Sequence, residues 1–307
     1  MRDKITISIP GAGKDVYYLS PGGEGKSEKS IARLQKQYEW LKNFIKPDAT
    51  IIDVGARDGD SLIPILPILK EGSRIIAFEP EKTEFDFLVQ NLDMVNTLRG
   101  QVYYNNFAIG KKTELRDFLW DTQARNGGFK TDNILASVTG DKGEEIRAST
   151  CKWDKEFQVQ SFCWNDLDEE LKNKMLKASY IKTDTEGSDI EVLNELLPVI
   201  NKTRPYIMME WFPFTEQEIT EFVDANDYVV INPQYREIMY GLDLKNSWTQ
   251  DLFLTPQETL KEQKCETCGH MLMSFTPRQV HTESETHERH KVPLAETASE
   301  TKASTGL

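Results

Sequence analysis

Histidine is absent from the first 260 residues of this 307-residue chain, and all four histidines, His270, His281, His287 and His290, lie beyond them. Histidine is the side chain that enzymes use most often as a general acid or base. Its absence excludes histidine catalysis in that part of the chain, unless the C-terminal residues fold back onto it. Acid–base chemistry there falls to carboxylates.

Cysteines and long hydrophobic runs are also scarce. The four cysteines are too few for a secreted disulfide framework. No apolar run reaches the length of about eighteen residues that spans a membrane, and the N-terminus has no signal-like segment. A net charge of −13 disfavours phosphate backbones as partners. We therefore expect a soluble, cytoplasmic protein with no membrane span and no nucleic-acid partner.

What is present is a regular alternation of apolar segments and helical patterns that starts at Thr50. The apolar segments are ATIIDVG, SRIIAFEP, QVYYNNFAIG, SYIKTD and PYIMMEW. Strands that are apolar almost throughout and are separated by helices are typical of a parallel sheet. YVVIN and DLFLTP have no helix between them, which indicates an antiparallel pair. The sequence thus predicts an α/β fold: a Rossmann-like, mostly parallel sheet with helices on both faces and a terminal antiparallel strand pair.

Composition divides the chain into regions. Residues 1–49 form an N-terminal extension with a strand and a helix, and residues 50–256 form the main domain. Residues 111–155 lose the alternation and are predicted to be an insertion near the acceptor site. Residues 257–307 are rich in Ser, Thr, Glu and Lys, which predicts a polar, largely disordered tail.

The tail carries a possible metal site. Cys265, Cys268, His281 and His287 have the ligand spacing of a zinc finger. The alternative is a flexible tail in which these residues have no common role.

Acidic side chains follow the strands at the points where the strands end. Asp53 is followed by the small residues Gly55, Gly59 and Ser61, which let a ligand approach the backbone closely. Glu79 ends the next strand, about 20 residues after this glycine loop, where an acid can accept both ribose hydroxyls of an adenosine ligand. Two neighbouring strand ends therefore define a nucleoside cofactor site.

A third strand end adds two more acids. Asp184 and Glu186 follow Ile181 and share one side of an extended chain, because side chains alternate with period two. Ligands bind at the carboxyl ends of the strands in an open parallel sheet. We expect both acids to face the crevice beside the glycine loop.

The loop favours S-adenosylmethionine over a nicotinamide dinucleotide. Gly55-Ala56-Arg57-Asp58-Gly59 lacks the middle glycine of the dinucleotide motif. Carboxylates near the loop would repel a pyrophosphate, whereas they attract the sulfonium of S-adenosylmethionine.

Several motifs together resemble the FkbM-type methyltransferases. DVGARDGDS, AFEPEKTEFDFLVQNL, the FAIG turn, YIKTDTEGSDIEVL and RPYIMMEW occur in the order and spacing of that family, over roughly residues 50–212. The family usually has Asn where this chain has Arg57, and Val where it has Thr185. The resemblance implies a class I, Rossmann-like domain that transfers methyl groups to oxygen, often a hydroxyl of a sugar or natural product.

The resemblance also implies which residues hold the cofactor. By this likeness the methionine part is held by Asp53, Gly55 and Gly59, the ribose by Glu79, and adenine lies beside Asn106 and Phe107. Asp184 is expected where cofactor and acceptor meet.

The chemistry of methyl transfer requires acceptor positioning and a group that removes the hydroxyl proton. We expect Glu186 or Glu210 to be that base. Alternatively, these acids and Asp184 bind Mg²⁺, which would lower the pKa of the acceptor hydroxyl. Trp120, Trp211 and Phe212 either line an acceptor pocket for a small molecule or glycan, or belong to the core.

Two other classes of protein remain as alternatives. One is a nicotinamide-dependent oxidoreductase, which the missing middle glycine and the lack of a Tyr-x-x-x-Lys pair disfavour. The other is a non-catalytic cofactor-binding module whose tail is an interaction element. Cofactor binding without turnover would favour the second.

Overall fold

The structure is a computed structural model that describes residues 4–8, 15–19, 28–94, 101–123, 125–130, 153–212, 215–232, 237–239, 251–259, 261–264 and 271–274. The chain divides into two compact units, Met1–Gln257 and Glu258–Leu307. The proposed zinc ligands Cys265, Cys268, His281 and His287 lie outside the described residues.

The first unit contains the strands and helices of the predicted domain. In chain order they are β1 (Lys4–Ser8), β2 (Asp15–Leu19), α1 (Glu28–Leu41), β3 (Thr50–Val54), β4 (Arg74–Phe78), α2 (Lys82–Met94), β5 (Val102–Asn105), β6 (Ala108–Ile109), β7 (Glu114–Asp121), β8 (Asn126–Phe129), β9 (Lys155–Phe162), α3 (Glu169–Met175), β10 (Tyr180–Thr183), α4 (Asp189–Glu195), α5 (Leu197–Thr203), β11 (Tyr206–Glu210), α6 (Glu216–Ala225), β12 (Tyr228–Asn232), β13 (Glu237–Met239) and β14 (Asp251–Pro256). In the second unit, β15 (Lys261–Lys264) and β16 (Met271–Ser274) form an antiparallel pair.

The main sheet has the strand order β13-β12-β14-β11-β10-β3-β4-β5. Its central strands β11, β10, β3, β4 and β5 are parallel, whereas β14 runs antiparallel to both β11 and β12. The predicted Rossmann-like sheet and its terminal antiparallel pair are therefore confirmed. The strand order reverses between β3 and β10, where an α/β sheet opens its ligand crevice.

Helices cover both faces of this sheet. On one face, α1 packs through Trp40 and Phe44, whose ring centroids lie 5.5 and 4.8 Å from that of Phe253. On the other face, α4, α5 and α6 share the main hydrophobic core with alternate strand residues such as Ile181 and Met209. None of the described helices is long and apolar enough to cross a membrane.

The first crossover, between β3 and β4, contains no α-helix. Pro64 and Pro67 predict a kinked or shortened helix, because proline lacks the N–H of the helical ladder and clashes with the preceding turn. The structure has a short 3₁₀ helix at Asp60–Leu62 followed by turns. The crossover is still apolar enough to bury Leu62, Ile65 and Leu69.

A second, four-stranded sheet with the order β6-β9-β7-β8 is built mainly from residues of the predicted insertion. β7 and β8 form an antiparallel hairpin, and β7 also pairs with β9 along most of its length. Phe118, Trp120, Phe129 and Val159 give this sheet a small core of its own.

Candidate active site

The loop after β3 brings Asp53, Gly55, Gly59 and Ser61 together. Asp53 is fully buried, and its Oδ2 accepts a hydrogen bond of 2.6 Å from the Ser61 hydroxyl. Its Oδ1 is buried and has no hydrogen-bond partner among the described residues. Burial raises the pKa of Asp53 to about 6, against the charge of Lys182 and the Ser61 hydrogen bond, which both lower it. A buried acid with a free oxygen is suited to receive a polar or cationic ligand group.

Gly55 packs against the backbone of Asp184, the residue that follows β10. Its φ is 77°, and a Cβ added there would lie 2.0 Å from the backbone oxygen of Asp184. Only glycine permits so close an approach of the two chain segments. The glycine loop and the segment at Asp184 are therefore held in contact by their backbones.

Glu79 lies at the end of β4 as predicted, and both of its carboxylate oxygens are oriented by backbone donors. Oε2 accepts from the Arg57 N–H at 2.8 Å, and Oε1 accepts from the Glu81 N–H at 2.7 Å. Burial raises the pKa of Glu79 to about 8, although these two hydrogen bonds lower it. Each oxygen retains a lone pair for a ligand hydroxyl.

The two predicted adenine neighbours differ in placement. Phe107 lies 5.5 Å from Phe78 between ring centroids and lines the site cavity. Asn106 instead donates from Nδ2 to the backbone oxygens of Glu79 and Pro80, at 2.9 and 3.1 Å. It lies outside the cavity lining and holds the turn that carries Glu79.

A cavity of about 230 Å³ is lined by Gly55, Ser61, Glu79 and Phe107 together with the predicted catalytic acids, whereas Asp53 and Gly59 are not part of its lining. Its ionisable lining consists of five carboxylates, Asp60, Glu79, Asp184, Glu186 and Glu210, and three arginines, Arg33, Arg57 and Arg125. A smaller cavity of about 80 Å³ shares Arg33, Asp60, Ser61, Asp184 and Glu210 with the first. The excess of acids favours a ligand with positive charge.

The acids continue across the sheet as a row. Glu210 on β11 and Asp251 on β14 are register partners, so two carboxylates stand opposite each other. Like charges in that position destabilise a sheet. Lys182 contacts Asp184 at 2.8 Å, and although burial opposes its charge, the acids around it raise the pKa of Lys182. Lys182 is therefore paired with Asp184, and it makes no ion pair with Glu210 among the described residues.

Three of these carboxylates converge on one point. One oxygen each from Asp184, Glu186 and Glu210 lie within 4.8 Å of one another. Burial and then the charge of Asp184 raise the pKa of Glu186 to about 8. Burial and the same neighbour raise the pKa of Glu210 well above its ordinary value, and its Oε2 has no hydrogen-bond partner among the described residues. The arrangement can accept a proton or bind a cation.

The β7–β8 hairpin forms one wall of the larger cavity. The guanidinium of Arg125, in the hairpin turn, donates to Asp58 in the glycine loop at 2.9 Å and to Glu84 on α2 from Nε at 2.9 Å. Both acids are buried. Gly127 lies against Trp120, since an added Cβ would be 2.4 Å from the indole ring.

Only one of the three candidate aromatic residues lines the site. Trp120 lies in the cavity wall, on the hairpin. Trp211 packs in the main core, and Phe212 is not part of the lining of either cavity. Trp211 is on the strand face opposite Glu210, as period-two alternation requires.

The structure adds four site residues that the sequence did not single out: Arg33, Asp60, Arg125 and Asp251. Asp251 had a detectable signal, because an antiparallel strand begins at the edge where its parallel neighbours end. Arg33 and Arg125 had none, since each reaches the site from a distant element through tertiary packing.

The strand order, the acids at adjacent strand ends and the connecting cavity define a class I, Rossmann-like methyltransferase fold. The family model for the methyltransferase FkbM domain matches residues 53–238, and the chain belongs to this family of S-adenosylmethionine-dependent methyltransferases. No curated protein matches the chain.

Solved structures of methyltransferases resemble the chain at low identity. Methyltransferase FkbM from Methylobacillus flagellatus KT is 16% identical with a TM-score of 0.42, over 67% of this chain and 44% of that chain. Precorrin-6y C5,15-methyltransferase from Geobacter metallireducens GS-15 is 12% identical with a TM-score of 0.37, over 77% and 94%. A T. thermophilus 16S rRNA N2 G1207 methyltransferase, solved with AdoMet and guanosine, is 13% identical with a TM-score of 0.39, over 83% and 51%.

Proposed function

We propose that this protein transfers the methyl group of S-adenosylmethionine to a hydroxyl of a sugar, glycan or other small natural product. One observation carries the proposal: the larger cavity joins Glu79, the predicted ribose acid, to the carboxylates of Asp184, Glu186 and Glu210. This shared cavity supports the proposal that a nucleoside and the proton acceptors meet in one site.

The residues of the loop suit this cofactor. Gly55 and Gly59 have φ values of 77° and 84°, a left-handed backbone conformation that glycine adopts without strain. Glu79 lines the larger cavity and can accept from the ribose hydroxyls, whereas Asp53 is fully buried, lines neither cavity and supports the loop through the hydrogen bond that it accepts from Ser61. Bound there, S-adenosylmethionine supplies an electrophilic methyl group on a positively charged sulfur.

Glu186 or Glu210 is the base in this proposal. The acceptor oxygen forms a bond to the methyl carbon while the carbon–sulfur bond breaks and sulfur keeps the electron pair. The acceptor proton passes to the carboxylate, and the products are a methyl ether and S-adenosylhomocysteine. Positioning accounts for much of the rate, because the reaction is an in-line displacement. A raised pKa suits the base, since the deprotonated carboxylate then binds the proton more tightly.

Mg²⁺ at Asp184, Glu186 and Glu210 is the second candidate for activating the acceptor. The oxygens that meet within 4.8 Å are hard ligands of the kind that Mg²⁺ prefers, and the buried Oε2 of Glu210 has no protein partner among the described residues. Calorimetric titration of the protein with MgCl₂ tests this, with Glu210→Gln as the variant and the exposed Glu218→Gln as control. Absence of Mg²⁺ binding by the wild type leaves the carboxylate base as the mechanism.

The acceptor class follows from charge and shape. Trp120 offers an aromatic face in the cavity wall, which suits a sugar ring or another flat apolar group. The chain carries a net charge of −13, and acids outnumber arginines around the cavity, so a polyanionic nucleic acid is disfavoured.

Calorimetry with S-adenosylmethionine is the first test, on the wild type, Glu79→Ala and Asp53→Ala. We expect micromolar binding by the wild type and its loss in both variants. A screen for transfer of labelled methyl to sugars, glycans, hydroxylated natural products and RNA then identifies the acceptor. No binding by the wild type would overturn the proposal, and methylation of RNA would replace the acceptor class.

The zinc site in the tail is proposed separately. Zinc content by atomic absorption, in protein purified without chelator, is expected near one ion per chain for the proposed Cys265, Cys268, His281 and His287 set. A Cys265→Ala, Cys268→Ala variant should lose it. Negligible zinc in both proteins would reject the site.

A further inference from the structure

Two cavities lie at the proposed cofactor site, and each suits a different part of the ligand. The larger cavity contains Phe107 and Glu79, which suit adenine and ribose. It shares Arg33, Asp60, Ser61, Asp184 and Glu210 with the smaller cavity, which α1 lines. A ligand whose adenosine occupies the Phe107 and Glu79 end has its amino acid end directed toward the smaller cavity.

The amino acid end carries an ammonium and a carboxylate, and the smaller cavity has partners for both. Asp60, Asp184, Glu210 and Asp251 line it and can accept from an ammonium. The carboxylate needs a cation, and the cations of this lining are Lys182 and Arg33.

Lys182 is already committed to other acids. It contacts Asp184 at 2.8 Å, and its register partner on the neighbouring strand β3 is the buried Asp53. Breaking a buried ion pair to bind a ligand carboxylate would leave Asp184 and Asp53 without their counter-charge, which is costly.

Arg33 is available. It is an exposed residue of α1, lines both cavities and makes no ion pair within the described parts of the chain. Its charge reaches the site, because it opposes the rise that burial causes in the pKa of Asp251. A guanidinium has the fork of donors that matches a carboxylate.

Resting on the function proposed above, we infer that Arg33 binds the carboxylate of the methionine moiety, so that α1 completes the cofactor site. The family match begins at residue 53, and α1 precedes it. The N-terminal helix is then a part of the cofactor site as well as a cover for the sheet.

Arg57 is the competing cation. It lines the larger cavity, and its Nε is buried with no hydrogen-bond partner among the described residues. Its nearest charges are Asp60 and Asp58 in the same loop. A carboxylate bound there would stay in the larger cavity and leave the smaller one empty.

The test uses a ligand that lacks only the carboxylate of S-adenosylmethionine. Calorimetry compares S-adenosylmethionine with decarboxylated S-adenosylmethionine on the full-length wild type, Arg33→Ala, Arg33→Lys and Lys36→Ala. Lys36 is an exposed residue of the same helix that lines neither cavity. Arg57→Ala is measured in parallel.

We expect Arg33→Ala to weaken binding of S-adenosylmethionine about tenfold to hundredfold, the usual range for a lost hydrogen bond to a charged group. The same variant should change binding of the decarboxylated ligand less than about threefold. Arg33→Lys should recover part of the loss, and Lys36→Ala should match the wild type with both ligands.

Equal effects of Arg33→Ala on the two ligands, or no effect on either, would overturn the inference. The selective pattern in Arg57→Ala instead would assign the carboxylate to Arg57. Failure of the wild type to bind S-adenosylmethionine at all would reject the proposed function, and this inference with it.

Discussion

The acids at the carboxyl edge of the main sheet form two groups that differ in what surrounds them. Glu79 accepts two backbone hydrogen bonds, and Asp53 accepts one from Ser61. Glu186 and Glu210 are instead surrounded by other acids, above all Asp184. The first group is oriented before a ligand arrives. The second is arranged so that its protonation responds to the charge that enters the site.

The largest expected effect is on the rate of methyl transfer, and it distinguishes the two groups of acids. Glu186→Gln or Glu210→Gln should reduce methyl transfer about a hundredfold to ten-thousandfold, because the variant that lacks the base cannot remove the acceptor proton. S-adenosylmethionine binding should stay within about threefold in Glu186→Gln, because Glu186 does not line the smaller cavity. The pH–rate profile gives a second readout: the rise in rate as the base deprotonates should be lost only in the variant that lacks it.

Glu218→Gln, on the exposed side of α6, is the matched control for this pair. Full activity in both Glu186→Gln and Glu210→Gln would remove the distinction between the two groups of acids.

The next effect concerns Asp58 and Glu84, buried acids whose charge is balanced by Arg125. Arg125→Ala should lower the free energy of unfolding by about 3–5 kcal/mol, because it leaves both acids without their cation. Urea-induced unfolding measures the loss. The control is Lys130→Ala, which removes an exposed ion pair with Glu156 and should change the free energy of unfolding far less.

Similar losses in Arg125→Ala and Lys130→Ala would contradict this prediction. They would mean that the hairpin is held to the glycine loop by its apolar contacts alone.

A smaller effect is expected when one hydrogen-bonded acid loses its charge but keeps its shape. Glu79→Gln should weaken S-adenosylmethionine binding about tenfold to hundredfold, because an amide can accept at only one of its two former oxygens. Calorimetry measures it, with the exposed Glu71→Gln as control. Unchanged binding would contradict the proposed role of Glu79 in binding the ribose.

The smallest effect is the pH dependence of stability without ligand. Burial raises the pKa of Glu79 and of Glu186 from 4.5 to about 8, so the folded state binds these protons more tightly than the unfolded state does. The resulting stabilisation is complete below about pH 4.5 and is lost as the pH rises through about 8. The melting temperature should therefore fall by a few degrees between about pH 5 and pH 8.

Saturating S-adenosylmethionine should flatten this slope, since a bound cation stabilises the charged carboxylates. Glu186→Gln should flatten it in the absence of ligand. A melting temperature that rises with pH over the same interval would contradict the assignment of these acids.

Much of the fold follows from the sequence, because strands buried on both faces are apolar and each is separated from the next by a helical pattern. The placement of Asp53, Glu79, Asp184 and Glu210 follows from the same pattern, since parallel strands end at one edge. Period-two alternation also separates Glu210 from Trp211.

The remaining features depend on tertiary packing that no local pattern contains. Arg125 contacts Glu84 across 41 positions of the chain, and Arg33 lines the smaller cavity together with Asp251 from another element. The composition of the insertion is compatible with loops or a hairpin, but it contains no motif from which the strand order of its sheet or its place beside the cavity could be predicted. Asn106 was assigned to adenine by resemblance, whereas its side chain holds a turn.

The contact between Gly55 and the backbone of Asp184 has a consequence for redesign of this enzyme. It fixes the distance between the glycine loop and Asp184 by main-chain contact, independently of any side chain. The β7–β8 hairpin, by contrast, contributes Trp120 and Phe129 to the cavity from a separate sheet. The hairpin is therefore the segment to exchange or randomise when a new acceptor is sought, because the reacting groups stay in register while the wall of the cavity changes.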